Sequence, residues 1–424
     1  MNFSLIYSKD LSNEEIMEVY WHNCSNRKSK IAIGDGNIIV RLADGTLKGC
    51  GSNTHGELGF GDYMDRYSFE EIPNIPKKIA EVACGSYHTI IRLIDGTLMS
   101  CGDNRNGQLG LGDTLSRSSF EEIKNIPKNI VEVLCGQRHT MIRSADGIIM
   151  CCGSYPCRVF SIADHRYGTV FVKIEMTGKT KKIKKVICSS DQTFVLLEDG
   201  TLMVNGSEER FVEMEGIPKN IVEVIACGNN TIIRLTDGTL MGSGLNNYGE
   251  LGFGDRRRRE KFEEIKGIGK NIAAVIGGYG HTIIQLTNGT LMVSGANGFG
   301  QLGIGDHGAT DNFVEIRGIP KNIAKVIYGH WKTIILLTDG TLMSTGDNMS
   351  GELGLGDRQG IRIFEKISSI PPNIAEVISD RNRTMIRLSD GTLFASGSNS
   401  GGQIGLGKDC AAVSLFVKIE KFIF

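Results

Sequence analysis

The chain has 424 residues and a formal net charge of −1, with 47 Lys and Arg against 48 Asp and Glu. That balance excludes a global field drawing the protein to nucleic acid or to an acidic membrane, and no apolar run approaches the ~20 residues of a membrane-spanning helix. Its 55 glycines, about twice the ~7% average, point to a fold with many turns at positive φ.

Residues 1–28 stand apart as an N-terminal extension. Ser12, with Glu15 three positions on, reads as a capping box for a short helix carrying Trp21. The N-terminus lacks a basic stretch followed by an apolar core, so no secretory signal is expected and the location is read as intracellular, cytoplasm or nucleus. From about residue 29 the chain becomes periodic. KIAIGDGNIIVRL (30–42) aligns without gaps to EVACGSYHTIIRL (81–93). An Asp-Gly or Asn-Gly pair follows at Asp44-Gly45, Asp95-Gly96, Asp146-Gly147, Asp199-Gly200, Asp237-Gly238, Asn288-Gly289, Asp339-Gly340 and Asp390-Gly391, so the interval is 51 in five of seven cases. A fixed period of this size means one supersecondary unit stacked on copies of itself, here as a single domain over 29–424.

Each copy holds four short pieces rich in Ile, Val, Thr and Phe. In the second copy they are IAEVAC (79–84), TIIRL (89–93), TLMSC (97–101) and SFEEI (119–123), bounded by Gly, Asp, Asn or Pro as strands are. The inner pieces are nearly continuous apolar runs, as in sheets covered on both faces. The Asp-Gly pairs, with Gly96, Gly238 and Gly340 among them, read as two-residue type I′ hairpin turns. The fourth piece carries one aromatic per copy, at Phe69, Phe120, Phe171, Phe211, Phe262, Phe313, Phe364 and Phe416. One Phe per unit is expected to pack between neighbouring sheets. Prolines 76, 127, 218, 320 and 371 then separate one copy from the next. The third copy replaces its glycine-rich loop with SYPCRVFSIADHRYGT, and the fourth lacks about thirteen residues, so Gly206 runs almost directly into RFVEM.

The eleven cysteines form no C-x-x-C pair and no Cys/His quartet. Cys84, Cys135 and Cys188 share one slot of the repeat and Cys50, Cys101 and Cys152 another, which suits small buried residues beside strands better than metal ligands. Neither a metal nor a cofactor is expected. No G-x-S-x-G, H-E-x-x-H or dinucleotide-binding glycine fingerprint occurs, and Gly178-Lys179-Thr180 lacks the upstream glycine of a phosphate loop, Lys173 standing there. Histidines 88, 139 and 281 share a slot with Asn37, Gln192, Asn230, Lys332 and Arg383. Such a slot accepts any polar hydrogen-bonding residue, either to hold backbone or to ring the mouth of a channel. Arginines 41, 92, 143, 234 and 387 recur at another slot, suited to pairing with a carboxylate or to ligand contact.

The loops GSNTHGELGFGD (51–62), GDNRNGQLGLGD (102–113), GLNNYGELGFGD (244–255), GANGFGQLGIGD (295–306) and GDNMSGELGLGD (346–357), with the VACGSYHT that follows, resemble the repeat of the regulator of chromosome condensation family. The resemblance implies an all-β fold, a single β-propeller of four-stranded blades. The family's usual ring has seven blades, whereas counting hairpins and Phe strands here gives eight. Closure is expected by pairing of Phe416–Ile419 beside Lys30–Ile33. The near-uniform copies also resemble repeat arrays encoded by giant DNA viruses of amoebae, which implies a virion as an alternative location.

Segments just after each loop vary freely: YMDRYS, TLSRSS, RRRREK, HGATDN and RQGIRI. Variable residues on a rigid repeated frame are where partner recognition is expected. Arg256, Arg257, Arg258 and Arg259 form the sharpest feature, either a solvated loop or a contact for phosphate or an acidic protein surface. Tyr155, Arg158, Asp164, His165 and Arg166 are candidates in the irregular third copy, because an irregular wedge performs nucleotide exchange in the family. Three functions follow: a non-enzymatic scaffold presenting loops to a protein partner, guanine-nucleotide exchange on a Ran-like small GTPase, or nucleic-acid or virion association through the basic loop. Ultraviolet-B sensing by clustered tryptophans, a property of plant members, does not fit a chain with only Trp21 and Trp331.

Overall fold

The computed structural model describes residues 30–154, 168–176, 182–188, 193–205, 210–278 and 280–423. The expected helix near Ser12 lies outside them. Among the described residues every regular element is a strand. They form eight sheets, each with four antiparallel strands from one repeat in sequence order. The chain is therefore an all-β propeller with eight blades. Blade 2 is typical, with strands Ile79–Cys84, His88–Leu93, Leu98–Gly102 and Arg117–Glu122. Its second strand is buried at five of six positions, whereas no position of the outer strand is buried. This gradient is why the inner strands read as continuous apolar runs. Blade 4 adds a fifth strand, Glu175–Met176, parallel to Arg210–Glu213.

By contacts the chain divides into two compact units. One holds blades 5 to 8, as Asn220–Ser398 with Cys410–Phe422; the other runs through Lys219 and adds Asn399–Asp409 and Ile423. Within each, hydrophobic clusters bridge neighbouring blades: Ile39, Leu47, Leu58 and Ile72 of blade 1 pack with Ile79, Cys84, Ile91 and Leu93 of blade 2. Cysteines 50, 84, 101, 135 and 152 are buried and in no disulfide, as their slots suggest, and so are Cys151 and Cys227.

The hairpin turns differ from the expectation. Only the glycine takes positive φ, at 85° in Gly96, and Asp95 does not join it. Gly96 N–H donates to Leu93 O at 3.0 Å and Leu93 N–H to Thr97 O at 2.8 Å. The loop therefore has three residues, Ile94, Asp95 and Gly96, a type I turn followed by a left-handed glycine. Asp95 keeps negative φ because its carboxylate accepts the Thr97 N–H at 2.9 Å. A Cβ on Gly96 would lie 1.6 Å from Lys128 O, so the inter-blade connection packs directly on the bare turn.

Where the preceding repeat keeps its glycine loop, the outer-strand Phe seats on a glycine of that loop. Cβ atoms on Gly59, Gly110, Gly252, Gly303 and Gly354 would come within 2.1–2.5 Å of the rings of Phe120, Phe171, Phe313, Phe364 and Phe416. The expected closing pairing is absent. Phe416–Ile419 lies in Ala412–Lys421 and pairs with its own blade's Thr392–Ser398, with Ala395 opposite Val417, while Ile31–Ile33 pairs with Asn37–Arg41. The last repeat reaches the first blade through its loop instead. A Cβ on Gly405 would lie 2.7 Å from the Phe69 ring, Gly407 N–H donates to Tyr67 O at 2.8 Å, and Ala43 N–H donates to Ile423 O at 2.9 Å. The glycine-on-phenylalanine contact used between other repeats makes a shared strand unnecessary.

Candidate functional site

The glycine loops are rigid because side chains replace the backbone partners that a loop lacks. In the second repeat Asn104 Nδ2 donates to Asp113 O at 2.9 Å, while Asn104 Oδ1 accepts the Leu109 N–H at 2.9 Å. Gln108 Oε1 accepts the Asn106 N–H at 2.9 Å. Glu57, Glu250, Gln301, Glu352 and Gln403 repeat that last bond. Three of these loop residues are buried carboxylates, and burial pushes Glu57, Glu250 and Glu352 above the usual carboxylate range.

The polar slot and the loop acid lie 20 residues apart and covary among the repeats. Asn37, Asn230 and Lys332 go with Glu57, Glu250 and Glu352; His88, His281 and Arg383 go with Gln108, Gln301 and Gln403. The structure supplies the reason at one pair, where Asn230 Nδ2 donates to Glu250 Oε1 at 2.6 Å. All slot residues in the described chain are buried. They do not share one partner: His88 Nε2 lies 2.9 Å from Thr140 Oγ1, and Lys332 Nζ donates to Asp380 O at 2.6 Å and Arg381 O at 3.2 Å. His88 and Lys332 fold over a glycine three residues earlier, Gly85 and Gly329, where a Cβ would collide with them. In the last repeat Asp380 replaces that glycine and ion-pairs with Arg383. Four of the five arginines in the second recurring slot pair with a carboxylate: Arg92, Arg143, Arg234 and Arg387 bind Glu81, Glu132, Glu223 and Glu376 at 2.7–3.2 Å, whereas Arg41 donates to Ile79 O at 3.1 Å.

On this frame the unit of blades 5 to 8 carries a row of large apolar side chains left in solvent. Tyr248 and Phe299 are each 37% exposed and Met349 is 72% exposed. The Phe299 ring lies 5.3 Å from that of half-buried Trp331, which lies 4.6 Å from His330. Trp331 O accepts the Asp347 N–H at 2.9 Å, and Asp347 Oδ1 accepts the Met349 N–H at 3.2 Å. Burial, then Arg381 and Lys332, hold the His330 pKa down to about 3, so its ring is neutral at physiological pH.

The structure divides the arginine run. Arg259 binds Asp255 and Glu263 at 3.0 Å and covers the Phe253 ring at 4.4 Å. Arg66 and Arg117 do the same from the same position with Asp62 and Asp113, so Arg259 is part of the frame. Arg256 binds Asp311 at 2.8 Å. Arg258 is half-buried, and Arg257 is exposed. Tyr155, Arg158, Asp164, His165 and Arg166 lie outside the described residues. The aromatic row escaped sequence reasoning because its positions vary inside the loop motif: Tyr248 and Phe299 stand where other repeats have His55, Asn106, Ser350 and Gly401. Among the described residues no three His, Cys, Asp or Glu side chains are placed to hold a metal ion.

Comparison with known proteins agrees with this architecture. Two models of the regulator of chromosome condensation (RCC1) repeat match, one at residues 29–57 and 79–108, the other at 44–91 and 95–143. The ultraviolet-B receptor UVR8 of Arabidopsis thaliana is 25% identical over 391 residues, 89% of this chain and 78% of its own. The X-linked retinitis pigmentosa GTPase regulator homologue of Caenorhabditis elegans is 24% identical over 78% of this chain, which spans only 24% of that protein. The regulator of chromosome condensation of Drosophila melanogaster is 23% identical over 76% of this chain and 62% of its own. Among solved structures, yeast RCC1 (Prp20) bound to Kap60 superposes with a TM-score of 0.60 at 16% identity, covering 98% of this chain and 90% of that one. Residues 29–143 thus match the repeat of the regulator of chromosome condensation family, and the chain folds as a β-propeller of eight blades.

Proposed function

We propose that this protein is a non-enzymatic interaction module that holds a protein partner on the glycine loops of its repeats. The row Tyr248, Phe299, Trp331 and Met349 carries the reading. Aromatic residues and Met are enriched where protein interfaces bury their cores, and loops already fixed by their own Asn and Gln bonds lose little entropy on binding. The test is capture of partners by the full chain and by its Phe299→Ser, Met349→Ser variant. Retention by the first and loss by the second is expected; equal retention would remove the loop row from the reading. A second reading, guanine-nucleotide exchange on a Ran-like GTPase, draws on the similarity to the Drosophila regulator and on the yeast protein Prp20p, whose structure was determined with its binding to Gsp1p and histones. Release of labelled GDP from such a GTPase decides it, since no acceleration at micromolar protein removes exchange.

A further inference from the structure

We propose that the aromatic row and the arginines beside it form a docking surface for an acidic protein segment that also bears apolar side chains. The inference rests on the interaction-module reading and narrows it to one chemical class of partner. Phe299 and Trp331 supply the apolar contact, and Arg362 and Arg381 flank it. Gly300 packs so closely on Arg362 that a Cβ would lie 2.9 Å from its Cα, which puts Arg362 next to Phe299. Lys332, the residue after Trp331, donates its Nζ to Arg381 O at 3.2 Å, which brings Arg381 alongside the Trp331 segment.

The two arginines beside the rings differ from Asp311 and Asp380 in having no ion partner among the described residues. Asp311 is held by Arg256, and Asp380 by Arg383. Asp347 accepts the Met349 N–H, and Asp357 accepts from Asn348 and Gln359. Arg362 and Arg381 are exposed and form no ion pair among the described residues. Carboxylates on a partner could take these guanidiniums in charge-assisted, two-point hydrogen bonds and leave an apolar side chain over the rings between them. A phosphodiester strand fits less well. It carries a charge at every nucleotide and would meet Asp347 and Asp357, whereas a peptide can space its carboxylates to avoid them.

The experiment titrates the full chain into a fluorescein-labelled peptide of repeated Glu-Glu-Leu-Phe units and follows anisotropy. A Lys-Lys-Leu-Phe peptide and a single-stranded oligothymidylate serve as comparison probes. Saturable binding of the acidic peptide is expected, weakening as salt is added. Affinity should fall by about tenfold or more in Phe299→Ser and in the Arg362→Glu, Arg381→Glu double variant, and stay unchanged in Arg317→Glu. All these side chains are at the surface, and unchanged thermal melts will show that the variants remain folded. Preference for the basic peptide or the oligonucleotide, no effect of the variants, or self-association of the chain through Phe299 in sedimentation would each overturn the proposal. If a captured protein is retained in a Phe299-dependent way while the acidic peptide never binds, only the partner class falls and the interaction-module reading stands.

Discussion

Asn230 and Glu250 show how far one pair of side chains constrains its repeat. The Asn amide is the donor that lets a carboxylate sit almost wholly buried, 2.6 Å away. Asn230→Ala should therefore cost about 1–3 kcal/mol, the penalty for leaving a buried polar group without its partner. In the Glu250→Gln background the same substitution should cost less, because an amide is cheaper to strand than a carboxylate; a double-mutant cycle by urea denaturation measures the difference. The pH dependence has a defined sign. Desolvation raises Glu250 and Glu352 above 4.5 in the folded state, so the fold takes up their protons more readily than the unfolded chain does. Their ionisation destabilises the fold at neutral pH, and the penalty is relieved as pH falls through the raised pKa values. The turn aspartates act oppositely: Asp237 and Asp390 lie at about 2, held down by Lys270 for the first and by the Thr392 N–H for the second. Their contribution is complete above the ordinary value near 3.8 and disappears as pH falls toward 2. Melting temperature against pH should rise slightly on mild acidification and then drop, and Glu250→Gln with Glu352→Gln should flatten only the rise.

At the scale of the element, the loop glycine and the outer-strand Phe act as one joint. Gly354 has φ of 71°, and a Cβ there would lie 2.1 Å from the Phe416 ring. Gly354→Ala should destabilise through both strain and collision, and Phe416→Ala should cost about 3–5 kcal/mol as a buried aromatic lost. In the double variant the collision disappears, so the sum of the single effects should exceed the measured total; additivity by chemical denaturation would refute the joint. The Phe half of it was legible from sequence, since one Phe recurs in every copy. The glycine half was not, because a glycine's reason for being bare belongs to the next repeat. The hairpin was misread for a related reason: Asp-Gly suits both two- and three-residue loops, and Ile94 decides between them by joining the turn rather than the strand. The role of Arg259 was readable by aligning Asp255 with Asp62 and Asp113, each four residues before its arginine. The run of four cations hid that match. The aromatic row could be seen only once Phe299 and Trp331, 32 residues apart in sequence, were found in contact.

For the whole molecule, the question is how a repeat array treats its ends. In an open stack each unit touches only its neighbours, and the end units fray because one face is uncovered. Here the first blade's Phe69 receives Gly405 from the last repeat, whereas Phe171 receives Gly110 from the repeat before it. Both rings are 8% exposed. If the two contacts are equivalent, Phe69→Ala and Phe171→Ala should lower stability by similar amounts, each about 3–5 kcal/mol. Hydrogen exchange should then protect Asn37–Arg41 of blade 1 as strongly as His139–Ser144 of blade 3, because neither strand belongs to an uncovered end. Removing residues from Ala412 onward tests the same joint from the other side. It deletes the strand paired with Thr392–Ser398 and the bond from Ala43 to Ile423, and so loosens both anchors of the loop that holds Gly405. The truncated chain should lose protection at Asn37–Arg41 as well as in its last blade. Loss confined to the last blade would mean that the loop holds Phe69 without help from the strand beyond it.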